Sequence, residues 1–419
     1  MESKELLKRK KKSKKVYSIK KFLFKNPKIK HKKVDNDKAI NNTININNAK
    51  KVKERNPGVD FVRILSMYAI VIHHILHHGG LFQKYRIYKE LILLNISCYW
   101  HVSTFALISG YIGYKSNKYS NLLYLSLCAI FYSSFITYYF NKFRPQFYTR
   151  KLIYKDFFPV FFDEYWYFSR YFGMYLFLPV INKGIESLGK SELRMAFISL
   201  IFFYVVMKEY INPKGDPFRL NDGYTVVWLL ICYITGSYFG KFKYDIHGIK
   251  KYLYFFIYII VFYYSTILCY KINNNNLIID TKRYYKLKLM IFLKSIFVQK
   301  ISSIPMILQS ICVLLLFTQI KYNKYLGKII TFIGPLTFGI YLIHDKPLVR
   351  DNIVKHLFIK DAYNLSLNIV IKLVFLRAVK IFGICVLIDY LRHIIFTALR
   401  IRTICILIEK IIFKIVNFY

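Results

Sequence analysis

The sequence contains no Gly-rich phosphate loop, no Walker motif and no GxSxG elbow. Nucleophilic Ser/His/Asp catalysis and nucleotide-loop chemistry are therefore without support. No two of its seven cysteines form a CxxC pair; Cys98, Cys128, Cys232, Cys269, Cys312, Cys385 and Cys405 each fall in or beside an apolar segment. That excludes a disulfide framework or a thiolate metal cluster, and the cysteines read as small apolar packing residues. A secretory signal is also missing, because the apolar pieces of residues 1–55, VYSI and FLF, are too short for an h-region. Acidic residues are scarce, 22 against 64 Lys and Arg, for a formal net charge of +42. Such an excess can signal nucleic-acid binding. Its distribution argues otherwise: 20 of the 64 basic residues lie in residues 1–55, and most of the rest fill short gaps between apolar runs. A basic tail beside anionic lipid headgroups is the plainer reading, with no nucleic-acid partner.

What the chain has in abundance is apolar length. It is 55% hydrophobic and 19% aromatic, with a mean hydropathy of +0.30. A soluble protein has no need of so many long apolar runs, whereas a polytopic membrane protein does. About ten segments approximate the ~20 residues needed to cross a bilayer: 59–78, 91–114, 121–140, 165–181, 194–211, 224–240, 251–270, 301–320, 329–348 and 366–390. The expected fold class is all-α, a polytopic transmembrane helix bundle of about ten spans. Residues 1–55 read as a basic disordered cytoplasmic tail, 56–391 as the transmembrane domain and 392–419 as a basic amphipathic C-terminal tail. The Lys pattern of residues 281–300 suits an interfacial helix. The last span carries Lys372, Arg377, Lys380 and Asp389, which must snorkel, pair or face the bundle interior. The tail favours a cytoplasmic N-terminus, and loop charges do not fix the topology further.

Titratable groups inside a membrane are costly and suggest a site. The first span, within NPGVDFVRILSMYAIVIHHILHHGG at residues 56–80, has an arginine near its start and four histidines, His73, His74, His77 and His78, near its end. Arg63 and His74 are eleven residues apart, which returns to nearly the same helix face with a rise of roughly 16 Å. Asp60, one turn before Arg63, is placed to pair with it. Arginine's planar fork suits phosphate, and an imidazole suits general-base work deep in the core. The plainer reading is a snorkelling arginine and histidines that fill polar gaps between helices. His74 and His78 have metal-ligand spacing, but no Glu follows as in HExxH, so no metal is expected.

Three further runs carry polar groups at apolar boundaries. HVSTFALISGYIGY ends with Ser109, Gly110 and Tyr111, where glycine permits close helix approach. YWYFSRYFGMYLFLPVIN sets Arg170 among aromatic residues, and Pro179 is expected to end or kink that helix. ITFIGPLTFGIYLIHDKPLVRD closes on His344 and Asp345. Plain packing, an aromatic belt and an interfacial polar terminus explain these runs when each is taken alone.

Together and in this order, the runs resemble the acyltransferase-3 family of integral-membrane acyltransferases, most closely its branch that O-acylates surface polysaccharides. The resemblance rests on the Arg63-to-His74 spacing with the adjacent His73, on FALISGYIG, YWYFSRYFGMYLFLPVIN, WLLICYITGSYFG and TFGIYLIHD–VRD, and covers residues 56–390. It implies transfer of an acyl group, commonly acetyl, from cytosolic acyl-CoA to a carbohydrate hydroxyl at or across a plasma or cytoplasmic membrane. No cofactor is implied; acyl-CoA is a co-substrate, and membrane lipid and a carbohydrate acceptor are the expected partners. His74, His73, His344 and Tyr111 map as catalytic positions, with Tyr111 and His344 expected to donate to the oxyanion. Arg63, Arg170 and Ser109 are expected to bind substrate, while His77 and His78 are expected to be interfacial polar residues. HVSTF departs from the family's usual Asn before Leu-Phe, which weakens any polar role for Ser103. A transporter or glycan flippase is the alternative function, because buried charges in ten spans suit translocation on physics alone.

Overall fold

The computed structural model describes residues 55–81, 89–145, 151–212, 215–242, 250–274, 300–356 and 365–416. The expected N-terminal tail, apart from Arg55, and the expected interfacial helix of 281–300, apart from Lys300, lie outside the described residues. Among the described residues there is no strand, and helices cover each of the ten apolar segments. In chain order they are α1 (Pro57–His78), α2 (Lys89–Cys98), α3 (His101–Gly113), α4 (Tyr119–Phe143), α5 (Lys151–Phe157) and α6 (Trp166–Ser187). Next comes α7 (Lys190–Ile201), which continues through a π-helical stretch (Phe202–Met207) into α8 (Lys208–Ile211). Then follow α9 (Val226–Lys241), α10 (Lys250–Asn274), α11 (Ile304–Thr318), α12 (Lys324–Ile333), α13 (Thr337–His344), α14 (Pro347–Val349), α15 (Leu367–Ala398) and α16 (Ile401–Val416).

Among the described residues, four stretches are long and apolar enough to cross a membrane: Pro57–His78, Glu90–Gly113, Tyr119–Phe143 and Lys324–His344. The last is two helices joined by a 3-10 turn, Gly334–Leu336, where Pro335 interrupts the backbone ladder. Large apolar side chains such as Val180, Phe256 and Leu387 stand exposed around the bundle, far more than a water-facing surface carries.

α1 is the central element and packs against α3, α11, α12, α13 and α15. Its Met67–Leu76 half joins a core with α4, α13 and α15, while Val59 and Val62 join another with α3, α6, α9 and α11. The α3–α9 contact is set by glycines. A Cβ on Gly110 would lie 1.9 Å from the Tyr233 carbonyl oxygen, and one on Gly236 would lie 2.0 Å from that of Leu107. Small residues let backbones touch where lipid supplies no hydrophobic drive between helices.

Two expectations about helix ends change. Pro179 lies inside α6, which runs on to Ser187; neighbouring helices tolerate the lost hydrogen bond of a proline in such a bundle. The last span is longer than 366–390 and reaches Ala398, so the first residues of the expected tail, from Arg392, belong to it. Asp389 and Arg392 pair at 2.8 Å one turn apart, Tyr132 donates to Asp389 at 2.7 Å, and Arg392 donates to Tyr124 at 2.8 Å. This neutralised cluster lets the helix continue through its polar positions. The chain breaks instead at Arg400, whose φ of 50° is left-handed, and α16 then lies along α4.

Candidate active site

α1 starts and stops on local chemistry. The Asn56 side chain accepts from Gly58 N at 2.8 Å, Pro57 occupies the first helical turn and Asp60 adds a negative charge there. At the other end, Gly79 caps and Gly80, at φ +80°, turns the chain left-handed. Two polar centres stand near these two ends.

The first centre is built on a buried carboxylate. Asp60 is fully buried and holds Arg63 at 2.6 Å and also Arg55. Two guanidiniums share one carboxylate, so the centre keeps a surplus positive charge, and the Arg63 side chain is still 21% exposed. Tyr171 of α6 lies near both Arg63 and Ser109 of α3, whose hydroxyl donates to the Phe105 carbonyl at 2.9 Å. Arg63 and Ser109 are thus both neighbours of Tyr171.

The second centre lies one turn from the C-terminal end of α1, so His74 is nearer that end than the middle of the helix. His344, the last residue of α13, places Nε2 3.1 Å from His74 Nδ1. Its other nitrogen, Nδ1, is 2.6 Å from the Ile340 carbonyl. A carbonyl only accepts, so His344 carries its proton on Nδ1, and its Nε2 accepts from His74 Nδ1–H. This tautomer, assigned from the hydrogen-bond pattern, leaves the His74 Nε2 lone pair uncommitted. Asp345 stands 3.5 Å from His74 Nδ1, is buried, and faces Arg350 at 3.5 Å. The pair occupies the place from which a carboxylate orients and stabilises an imidazolium.

His73 turns away from this pair. Its Nδ1 meets Asn95 Oδ1 at 3.0 Å, His77 Nε2 meets the same oxygen at 3.2 Å, and the His101 ring packs 5.3 Å from that of His73. His101 is buried, and neither ring nitrogen has a hydrogen-bond partner among the described residues. The centre thus gathers His73, His74, His77, His78, His101 and His344, and the two histidines expected at the interface belong to it.

Other expected site residues fall elsewhere. Tyr111 is at the far end of α3 from His101, a rise of about 15 Å over ten residues, and it lies near Thr318 of α11. It is not brought to His74. Nor is His344 free to donate to an oxyanion, because its only N–H faces Ile340. Arg170 pairs with Asp163 in the loop before α6 and donates to the Tyr224 carbonyl at 3.3 Å. Ser103, already doubtful as a site residue, is used structurally: it donates to the Ile301 carbonyl and accepts from Trp228.

Between the two centres runs one face of α6. Tyr167, Tyr171 and Tyr175, one turn apart, follow each other with ring centroids 6.3 and 6.0 Å apart. Tyr167 N donates to the Tyr341 hydroxyl at 3.2 Å, one turn before His344, and Tyr175 donates to the Lys118 carbonyl at 2.8 Å. Beside the site, Lys346 is wholly buried and bonds Ser133 at 2.6 Å, Asp156 at 2.9 Å and Glu164 at 3.0 Å. That network anchors the segment carrying Asp345. Asn95, His101, Lys346 and Arg350 were missed from the sequence; only the polarity of Asn95 and His101 within apolar runs signalled them.

The apolar helical bundle thus carries an arginine centre and an imidazole–carboxylate centre on one helix. The chain belongs to the acyltransferase-3 family: the family's acyltransferase-domain model matches residues 56–390. It is a membrane acyltransferase that transfers groups other than amino-acyl groups. No curated protein and no solved structure matches the chain.

Proposed function

We propose that this enzyme moves an acetyl group from cytosolic acetyl-CoA to a hydroxyl of a cell-surface or lipid-linked carbohydrate. We place it in the plasma or cytoplasmic membrane with about ten passes and a cytoplasmic N-terminus. The observation that carries the reading is the His74–His344 hydrogen bond beside Asp345, on the same helix as the Arg55–Asp60–Arg63 centre.

In this reading the acyl-CoA phosphates dock on Arg63, whose fork suits bidentate phosphate contacts. Ser109 and Tyr171 flank the entrance, and the Tyr167–Tyr171–Tyr175 wall guides the pantetheine arm towards His74. The rise of roughly 16 Å from Arg63 to His74 suits an extended arm. His74 Nε2 takes the acceptor hydroxyl proton as the oxygen attacks the thioester carbonyl. Collapse of the tetrahedral adduct breaks the carbon–sulfur bond, the thiolate leaves with coenzyme A, and the proton on His74 returns to that sulfur. During the step Asp345 offsets the imidazolium charge, and His344 holds the productive tautomer. His73 is a positioning residue that fixes Asn95 and the adjoining wall.

The test is mass spectrometry of surface glycans from cells with and without the gene. An acetyl increment is expected to vanish on deletion and to return with the wild-type gene but not with His74→Ala. Glycans of unchanged mass would sink the acceptor assignment.

A further inference from the structure

His74 and His78 stand one turn apart on α1, and Asp345 closes the same corner from the end of α13. One ring nitrogen of each histidine and one carboxylate oxygen lie within 4.8 Å of one another. We propose that these three side chains bind a divalent transition-metal ion of the zinc type, and that occupancy switches the enzyme off. Two imidazoles and a carboxylate form a donor set that zinc takes in open sites, with a fourth position left for water.

The spacing is close to what such an ion requires. Donors around a tetrahedral zinc stand about 3.3 Å apart at ordinary zinc–ligand distances, and His74 Nδ1 is 3.5 Å from Asp345 Oδ1. His78 supplies the remaining closure: its ring is 5.3 Å from that of His74, and it is half-buried, which leaves the corner open to solvent. Arg350 opposes the ion from 3.5 Å beyond Asp345, but it also reaches the exposed Asp351 at 3.3 Å. It therefore tunes affinity without filling the site.

Inhibition follows from proton placement. A neutral imidazole carries one N–H. A metal on His74 Nδ1 displaces that proton through water to Nε2, the nitrogen that must be free to act as base. It also replaces the bond to His344. This consequence rests on His74 being the base; metal binding itself does not.

Tag-free full-length protein in nanodiscs is titrated with Zn²⁺ against a chromophoric chelator, and acetyl-CoA turnover is followed at the same zinc concentrations. His78→Ala is expected to weaken zinc binding roughly tenfold or more, since loss of even an outer-shell partner costs that much. Its turnover, measured with and without zinc, should lose zinc sensitivity, and Arg350→Ala should bind zinc more tightly. Zinc affinity unchanged in both His78→Ala and Asp345→Asn overturns the site. Binding at the site with turnover unaffected overturns the switch. If the wild type turns over no acetyl-CoA at all, the acetyl-transfer reading fails, and the titration still decides whether the metal site exists.

Discussion

Replacing His344 by alanine perturbs the imidazole pair at its hinge. In the wild type, His344 Nε2 receives the His74 Nδ1 proton at 3.1 Å, while its own Nδ1–H is spent on the Ile340 carbonyl. Without that acceptor the His74 donor is left facing Asp345 at 3.5 Å, beyond ordinary hydrogen-bond range. A neutral hydrogen bond contributes about 0.5–1.5 kcal/mol, which at about 1.4 kcal/mol per decade is a factor of roughly 2–10 in rate. His344→Ala should therefore lower kcat by up to about tenfold, since Asp345 can close the remaining gap. The double variant His344→Ala/Asp345→Asn removes both acceptors and should lose the whole contribution of an oriented base, about 10²–10⁴-fold. KM for acetyl-CoA should change little, because Arg63 lies roughly 16 Å along the helix. The assay is kcat of protein purified in nanodiscs at saturating acetyl-CoA, with size-exclusion profiles to verify folding. A double variant that folds and keeps kcat within twofold of wild type would refute the proposed role of the pair.

Arg63→Ala should raise KM for acetyl-CoA by about 10–100-fold, the equivalent of a charged hydrogen bond, with partial recovery in Arg63→Lys. Arg55 continues to neutralise Asp60, so the fold should survive, and steady-state kinetics on both variants checks the split. Lys346→Met should lower stability by about 3–5 kcal/mol, because it strands the Asp156 and Glu164 carboxylates in the interior; the readout is the thermal midpoint in detergent. Gly110→Ala, whose Cβ meets the Tyr233 carbonyl oxygen at 1.9 Å, should destabilise by about 1–3 kcal/mol. Gly383→Ala, with nothing within 4 Å of its Cβ, is the matched control in the same melting experiment.

The helical positions were readable because runs of apolar residues leave few alternatives. Helix joins were not. The two-helix form of 324–344 hangs on a short 3-10 turn, and the extension of α15 to Ala398 hangs on an Asp389–Arg392 pair whose partners, Tyr124 and Tyr132, come from α4. Periodicity aligned Arg63 with His74 because both lie on one helix. It had no access to contacts made between helices. Asp60 could be paired with Arg63 from spacing alone, since both are local, but Asp345 reaches His74 only when α13 is laid against α1. The same limit explains Tyr111: its motif position next to Ser109 suggested a common site, whereas the antiparallel run of α3 carries it to the opposite end from the histidines. His77 and His78 read as interfacial because they close an apolar run, and only Asn95 and Asp345 on neighbouring segments show what they face.

Whether His74 is the base of an acetyl-CoA-dependent transfer is open to direct test. The direct measurement is turnover of labelled acetyl-CoA by purified wild-type and His74→Ala protein reconstituted in nanodiscs, with matched melting curves. Turnover is expected in the wild type, with a loss of about 10²-fold or more in the folded variant. A His74→Ala protein that turns over acetyl-CoA at the wild-type rate contradicts that role.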